Sequence, residues 1–288
     1  MGSIRRVFDT KAVPVLMAAG LLLFVAETRR QLRKRTRPRG ERMVTNTLVS
    51  LPSFSLLQLL LLPVMVKMAE ESRRKKFGLT YRFSAPITLK TAIAFLLLDY
   101  SNYGWHVLMH RVPFLWRFHL VHHSDQDLDL TTAFRFHFGE LIASVFSRGA
   151  AVFLIGPSPL LLLVYEGIFE GATQFHHSNW KLPFRLEKAL NKVVVTPRMH
   201  GIHHSVVKQE TDSNYSVIFS FWDRLHQTIR LNVPQDLVVI GVPSYSNPAE
   251  LTAGYLLKMP FTKIRPWHAP TDAPEVWGLS SGRSTLAE

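Results

Sequence analysis

Residues 105–140 read WHVLMHRVPFLWRFHLVHHSDQDLDLTTAFRFHFGE, and the spacing of histidines in this stretch decides what the chain folds to hold. His106 and His110 form an HxxxH pair, His119, His122 and His123 form an HxxHH group, and His137 follows. Far downstream, MHGIHHS (199–205) repeats HxxHH with His200, His203 and His204. Residues three and four apart on a helix share a face, so each group presents its imidazoles as a cluster. Eleven of the thirteen histidines fall between residues 106 and 204, and there is no cysteine. Neutral imidazoles converging without thiolates suit iron, zinc, copper or nickel. The pattern is that of a multi-histidine, dinuclear metal site.

Working outward, the apolar residues are concentrated in runs at 12–26, 56–66, 87–98 and 160–164. The net charge of +13 is packed beside those runs, at RRQLRKRTRPRGER (29–42) and RRKK (73–76). Basic clusters flanking spans are what the positive-inside rule and anionic headgroups produce. No nucleic-acid-binding signature accompanies them, so the partner is a membrane and not nucleic acid. Zero cysteines exclude a disulfide framework, a thiolate metal site and a cysteine nucleophile.

Residues 12–28 read as an anchor helix. A basic start and an apolar core also fit a signal peptide, but no small-x-small exit follows and basic residues come at once. Residues 1–46 are thus expected to be an anchor and basic loop, 47–267 a membrane-embedded catalytic domain, and 268–288 a disordered tail. Within the domain, 47–68 is a second span. Pro86 starts a helix that emerges carrying His106 and His110. Asp99, Asn102, His106 and His110, spaced 3, 4 and 4, share one face. Residues 141–175 are broken by Gly156-Pro157-Ser158-Pro159 into two arms, each about 15 residues or roughly 22 Å. A hairpin returns to the side it left, which puts His176 and His177 beside the other histidines. Glu170 precedes His177 by seven, as Asp99 precedes His106, making both acids candidate partners of the ligands. Asp125, Asp127, Asp129, Glu140, Glu210 and Asp212 are further acids available to orient imidazoles.

A lone histidine is more often structural than a ligand, and His226 and His268 take that reading. The two HxxHH groups and the HxxxH pair are metal ligands on this reading, with the isolated His137 and His177 added and His176 left structural. Ten ligands exceed the four of a structural zinc site, and no HExxH frame points to a zinc hydrolase. A non-catalytic zinc-binding membrane protein and a metal-dependent lipid hydrolase are the competing function classes.

The set of histidines 106, 110, 119, 122, 123, 200, 203 and 204, hung on apolar helices, resembles the fatty acid hydroxylase/sterol desaturase superfamily. RVPFLWRFHLVHHSDQDLDLTTAFRFH and VTPRMHGIHHS…ETDSNYS…WDRL are similar to its prokaryotic sterol desaturase-like branch, and to alkylglycerol monooxygenases. The resemblance implies an all-α integral-membrane bundle with those eight histidines as iron ligands. His137, in an R-x-H-x-x-E element with Arg135 and Glu140, and His177, in a His-Ser-Asn element, would complete the set. It further implies two iron ions, O2 as co-substrate, and an external electron donor (a reductase with ferredoxin, or a cytochrome b5-like carrier). The substrate would be a lipid, attacked at a C–H bond by hydroxylation, desaturation or ether cleavage. Two departures stand out: Phe138 where the family often has proline, and His226-Gln227 where it often has an aromatic-glycine pair. With the 29–42 cluster placed inside, all clustered histidines face the cytoplasm of a bacterial inner membrane, and 73–76 is left on the far side.

Overall fold

The computed structural model describes residues 2–268 and Leu286, with side chains from Val13 onward. The expected tail, apart from His268 and Leu286, lies outside the described residues. Among the described residues the chain is all helical, with three isolated β-bridges and no strand. In order the helices are α1 (Gly2–Arg29), α2 (Arg39–Leu56), α3 (Leu62–Lys75), α4 (Ile87–Arg111), α5 (Pro113–His123), α6 (Phe138–Ile155) and α7 (Pro159–His177). Short helices follow: α8 (Phe184–Leu190), α9 (Pro197–His203), α10 (Lys208–Thr211), α11 (Phe221–Leu225) and α12 (Ala253–Lys258).

A π-helical turn, Leu57–Leu61, joins α2 to α3, so the chain runs helically from Arg39 to Lys75. Proline lacks the backbone donor and its ring crowds the carbonyl four residues back. The wide turn lies directly before Pro63 and absorbs that conflict. The helix starts at Arg39, behind Pro38, and not at residue 47, because its first polar turns project beyond the apolar run. The expected seam at 46–47 therefore falls inside α2. Pro86, Val112 and Ser158 stand at the N-caps of α4, α5 and α7, with Pro113 and Pro159 opening the last two. Gly156, at φ 76°, closes α6 in the left-handed region that glycine tolerates without strain. The arms of the resulting hairpin are 18 and 19 residues, or about 27–29 Å. They are longer than the expected 15 because the polar ends continue the helices.

Two ends of the bundle can be told apart by contacts. At one, Phe77 stacks on Phe153 at 4.6 Å, and the Thr80 hydroxyl donates to the Gly156 carbonyl at 2.6 Å. This end gathers the α3–α4 loop and the hairpin turn, and it includes the basic 73–76 run. At the other, the end of α1 reaches the start of α2 and the end of α7. Glu27 accepts from the backbone N–H of Asn179 (2.9 Å) and Leu130 (3.1 Å) and pairs with Arg39. The start of α2 is fastened there by buried Arg42, which donates to both oxygens of Asp125 (2.9 and 2.8 Å) and to Asp129 (2.7 Å). Burial alone would raise the Asp125 carboxyl, but the charges of Arg42 and Arg135 hold it well below the usual carboxylate range.

Between the ends lies an apolar core of Leu61, Met65, Ala69, Leu98, Val152, Leu162 and Tyr165, drawn from the π-helical turn, α3, α4, α6 and α7. Around it the exterior is apolar as well: Leu59, Ile87 and Phe146 are 80%, 76% and 75% exposed. Two stretches, Arg39–Tyr81 and Phe138–Ile155, are long and apolar enough to cross a membrane. A second cluster (Val49, Leu120, Val121, Val242, Tyr245, Leu256, Met259) folds the C-terminal segment over the end that carries α5.

Candidate metal centre

The α4 face set by Asp99, Asn102, His106 and His110 is buried throughout. From it His106 and His110 meet His119 and His123 of α5 and His203 of α9, with one ring nitrogen from each within 4.8 Å of all the others. His122, His177, His200 and His204 form a second group on the same criterion. Each HxxHH motif is therefore split. Residues four apart (119 and 123; 200 and 204) serve one group, and the residue between them (122; 203) serves the other. The groups adjoin, with the His123 and His204 rings stacked at 4.4 Å.

Nitrogen–nitrogen distances within the groups are short. The Nε2 atoms of His106 and His119 are 3.3 Å apart and those of His119 and His123 are 3.2 Å apart. In the second group His177–His122, His177–His200 and His200–His204 are separated by 3.0, 2.9 and 3.1 Å. Imidazole nitrogens about 2.1 Å from a common ion stand roughly 3.0–3.4 Å apart.

The far side of the rings fixes where the lone pairs point. His106 Nδ1–H donates to the Tyr215 carbonyl (2.7 Å), His203 Nδ1–H to the Ser213 carbonyl (2.7 Å) and His177 Nδ1–H to the Thr173 carbonyl (2.8 Å). His119 Nδ1 faces the Glu140 carboxylate at 3.2 Å, and His110 Nδ1 lies 3.6 Å from Asp212. A neutral imidazole that donates from Nδ1 carries only a lone pair at Nε2. His106 and His119 thus aim two lone pairs at each other across 3.3 Å, and the buried His203 Nε2 has no hydrogen-bond partner. Such an arrangement is repulsive unless a cation lies among the nitrogens, so the donor set fits a metal ion. His122, His123, His200, His203 and His204 are held well below the ordinary imidazole range, first by burial and then by their neighbours.

His137 does not join either group. It caps α6, its Nδ1 accepting from Gly139 N–H (2.9 Å) while Nε2–H donates to the Leu257 carbonyl (3.1 Å). Both nitrogens are used, so no lone pair is left for an ion. Its neighbours in the R-x-H-x-x-E element brace the clustered histidines. Arg135 donates to the Val121 carbonyl, Asn46 and Ser124, locking the end of α5, and Glu140 holds His119. His176 rests on the His200 ring at 4.1 Å and engages the Val217 carbonyl.

Asp99 and Glu170 face no histidine, contrary to expectation. Asp99 accepts from Trp222 Nε1 (2.8 Å) and Phe219 N–H (3.2 Å), and Glu170 accepts from Gln174 (3.0 Å). Sharing a helical face with a ligand did not bring either acid to it, because α11 and the next turn of α7 intervene. Spacing also passed over Asp223 and Asn214, which shape the loop supplying the carbonyls. Asp223 accepts from the backbone N–H of Tyr215 (2.8 Å) and Ser216 (2.9 Å). Asn214, at φ 54°, reaches Met199 and Arg230. The departure at 226–227 keeps its geometry: His226 stacks on Tyr100 and Tyr103, and Gln227 takes φ 58° where glycine would sit without strain.

These features define an all-helical protein with a buried nine-imidazole centre at one end. Residues 91–228 match the family model described as Fatty acid hydroxylase, and this stretch resembles that superfamily. It is 30% identical over 200 residues to an alkylglycerol monooxygenase of Danio rerio, covering 67% of this chain and 40% of that one. Similarity to the ornithine lipid hydroxylase OlsE of Rhizobium tropici is 27% over 184 residues, covering 62% and 52%. To the cholesterol 25-hydroxylase of Mus musculus it is 27% over 152 residues, covering 52% and 50%. The chain thus spans about half or less of these relatives. No solved structure matches.

Asp223→Asn keeps size but cannot accept from both N–H groups, which frees the loop that positions Tyr215 and Ser213. We expect metal affinity to fall about 10–100-fold, the usual effect of losing an outer partner of a ligand. His137→Ala should retain full metal. Inductively coupled plasma analysis of both variants checks this; metal loss in His137→Ala would make that residue a ligand.

Proposed function

We propose that this chain is a membrane-embedded, O2-dependent di-iron oxygenase that hydroxylates a C–H bond of a lipid. The observation carrying the reading is the pair of adjoining, buried groups of five and four histidines whose lone pairs converge. A structural zinc site needs four closed ligands; nine in two groups fit two ions. The cysteine-free, all-nitrogen set suits iron among the metals such sites take. The relatives bear the names of hydroxylases or monooxygenases of an alkylglycerol, an ornithine lipid and cholesterol, which supports a lipid substrate.

His106, His110, His119, His123 and His203 would hold one iron, and His122, His177, His200 and His204 the other. With O2, the irons supply the oxidising power that no side chain has. The protein's own part is positional. Carbonyls of Thr173, Ser213 and Tyr215 keep three imidazoles in the tautomer that ligates, and Glu140 orients a fourth. The C-terminal segment closes the site from water, and the apolar flanks of α4 and α5 adjoin the lipid from which a substrate would enter.

For orientation, the 29–42 charge lies at the histidine end and the continuous α2–α3 unit carries 73–76 to the opposite end. The denser cluster supports a histidine end on the cytoplasmic side of a bacterial inner membrane, where reduced carriers are available. Single cysteines at Thr262 and Lys75, both exposed and at opposite ends, should label differently in intact cells. An impermeant thiol reagent should reach Lys75→Cys and spare Thr262→Cys; the reverse would invert the orientation.

The activity is tested by untargeted lipid analysis of cells carrying the wild type or His110→Ala under 18O2. The wild type should give a lipid heavier by one 18O atom that His110→Ala does not make. Hydrolysis products without 18O would favour a hydrolase, and loss of two hydrogens without oxygen a desaturase.

A further inference from the structure

Resting on the di-iron reading, hydroxylation leaves one oxygen atom of O2 in the product and one in water. It consumes two protons and two electrons, and the electrons must enter a site closed on all sides by protein. One line of aromatic rings runs from exposed Tyr100 through Tyr103 and Tyr215 to His106 and His110, and a second, beside basic side chains, runs through two tryptophans. Trp116, on α5, has its ring 5.0 Å from His110 and 5.5 Å from His123, both of the first group. Trp267 lies 6.1 Å beyond Trp116, towards solvent. It is held by its indole N–H, which donates to the Val206 carbonyl at 3.1 Å. Neither tryptophan is fully buried.

Lys208 sits over both indoles, its ammonium 4.9 Å from the Trp116 ring and 5.0 Å from the Trp267 ring. Its partner Asp212, at 3.1 Å, is the acid beside His110. The cation–π contacts keep the two rings in line, and the lysine is 39% exposed, leaving part of its charge to the surface. Basic side chains gather around this spot among the exposed Phe114 and Phe261: Lys263 and Arg265 precede Trp267, with Arg265 paired to Glu250 at 2.7 Å, Arg117 reaches the Thr262 carbonyl, and Arg111 ends α4. Electron tunnelling falls steeply with distance through empty space, so rings in near contact are the favoured bridge over the same gap filled by aliphatic side chains.

We propose that Trp267 and Trp116, aligned by Lys208, are the electron entry to the first histidine group, and that the basic surface around Trp267 docks an acidic one-electron carrier protein. Each carrier is oxidised by one electron, and two successive deliveries supply one turnover. The basic face and the carrier's acidic one are complementary, so encounter is steered and salt-sensitive. The surface and the relay coincide at Lys208.

The test uses the full chain, iron-loaded and oxidised, mixed anaerobically with either reduced plant-type ferredoxin, an acidic protein, or the methyl viologen radical cation. The rate of reduction is read from the optical spectrum, and iron content is measured for every variant. Trp116→Leu should slow reduction by both donors severalfold at unchanged iron, and Trp116→Phe, which keeps a ring in the gap, should recover much of the rate. Lys263→Glu, at an exposed lysine outside the relay, should slow the ferredoxin reaction about tenfold or more at low salt, within the range of electrostatic steering, and should not slow the viologen reaction. Fully metallated Trp116→Leu reduced at the wild-type rate overturns the relay and leaves the oxygenase reading intact. A ferredoxin rate indifferent to salt and to Lys263→Glu overturns the docking surface. Wild type that binds no iron overturns the functional reading and the relay together.

Discussion

Buried lone pairs that face one another are the constraint on which this structure depends. Nine imidazoles are taken out of water; four have one nitrogen tied to a carbonyl or acid, and several of the remaining nitrogens have no hydrogen-bond partner. Burying polar atoms without partners costs on the order of 1–3 kcal/mol each, and here the cost recurs around two points. A cation at each point would turn the largest liability of the fold into its strongest bonds. Much of the rest can be read as what keeps that arrangement in place. Arg135 locks the end of α5, Asp223 shapes the carbonyl loop, and the Arg42–Asp125–Asp129 cluster fixes the α2 terminus beneath them.

The bundle solves a second problem, that of placing a polar centre beside lipid. Helices satisfy their own backbone groups, so they can present apolar side chains outward without exposing amides. Pro113 and Pro159 open α5 and α7, where no donor is lost, and Pro63 lies beside a π-helical turn that accommodates the conflict. All the histidine-bearing ends then fall on one side. Chain order alone requires this, because α4 arrives where α6 leaves and α7 returns.

The fold and the ligands were legible to different depths. Helix starts at Pro86, Pro113 and Pro159, and the break at Gly156, follow from local chemistry that a sequence displays directly. The HxxHH spacing displayed clustering, but not the division of each motif between two groups. That division depends on how α5 and α9 face each other. His137 matched a motif and misled, since an isolated histidine after an arginine can cap a helix as well as ligate. Asp99 and Glu170 misled for a related reason: helical periodicity gives a direction, and only packing gives the distance. The tyrosine and serine carbonyls that set the tautomers carry no side-chain signal at all, and Trp116 looked like any interfacial aromatic.

The most direct test of two histidine groups holding two irons is the metal itself. Protein purified anaerobically should contain two irons per chain. Its Mössbauer spectrum should show high-spin ferrous ions in nitrogen-rich surroundings, with no sulfur coordination at the iron edge. A single ion per chain, or tightly held zinc that iron cannot replace with recovery of activity, would contradict the account.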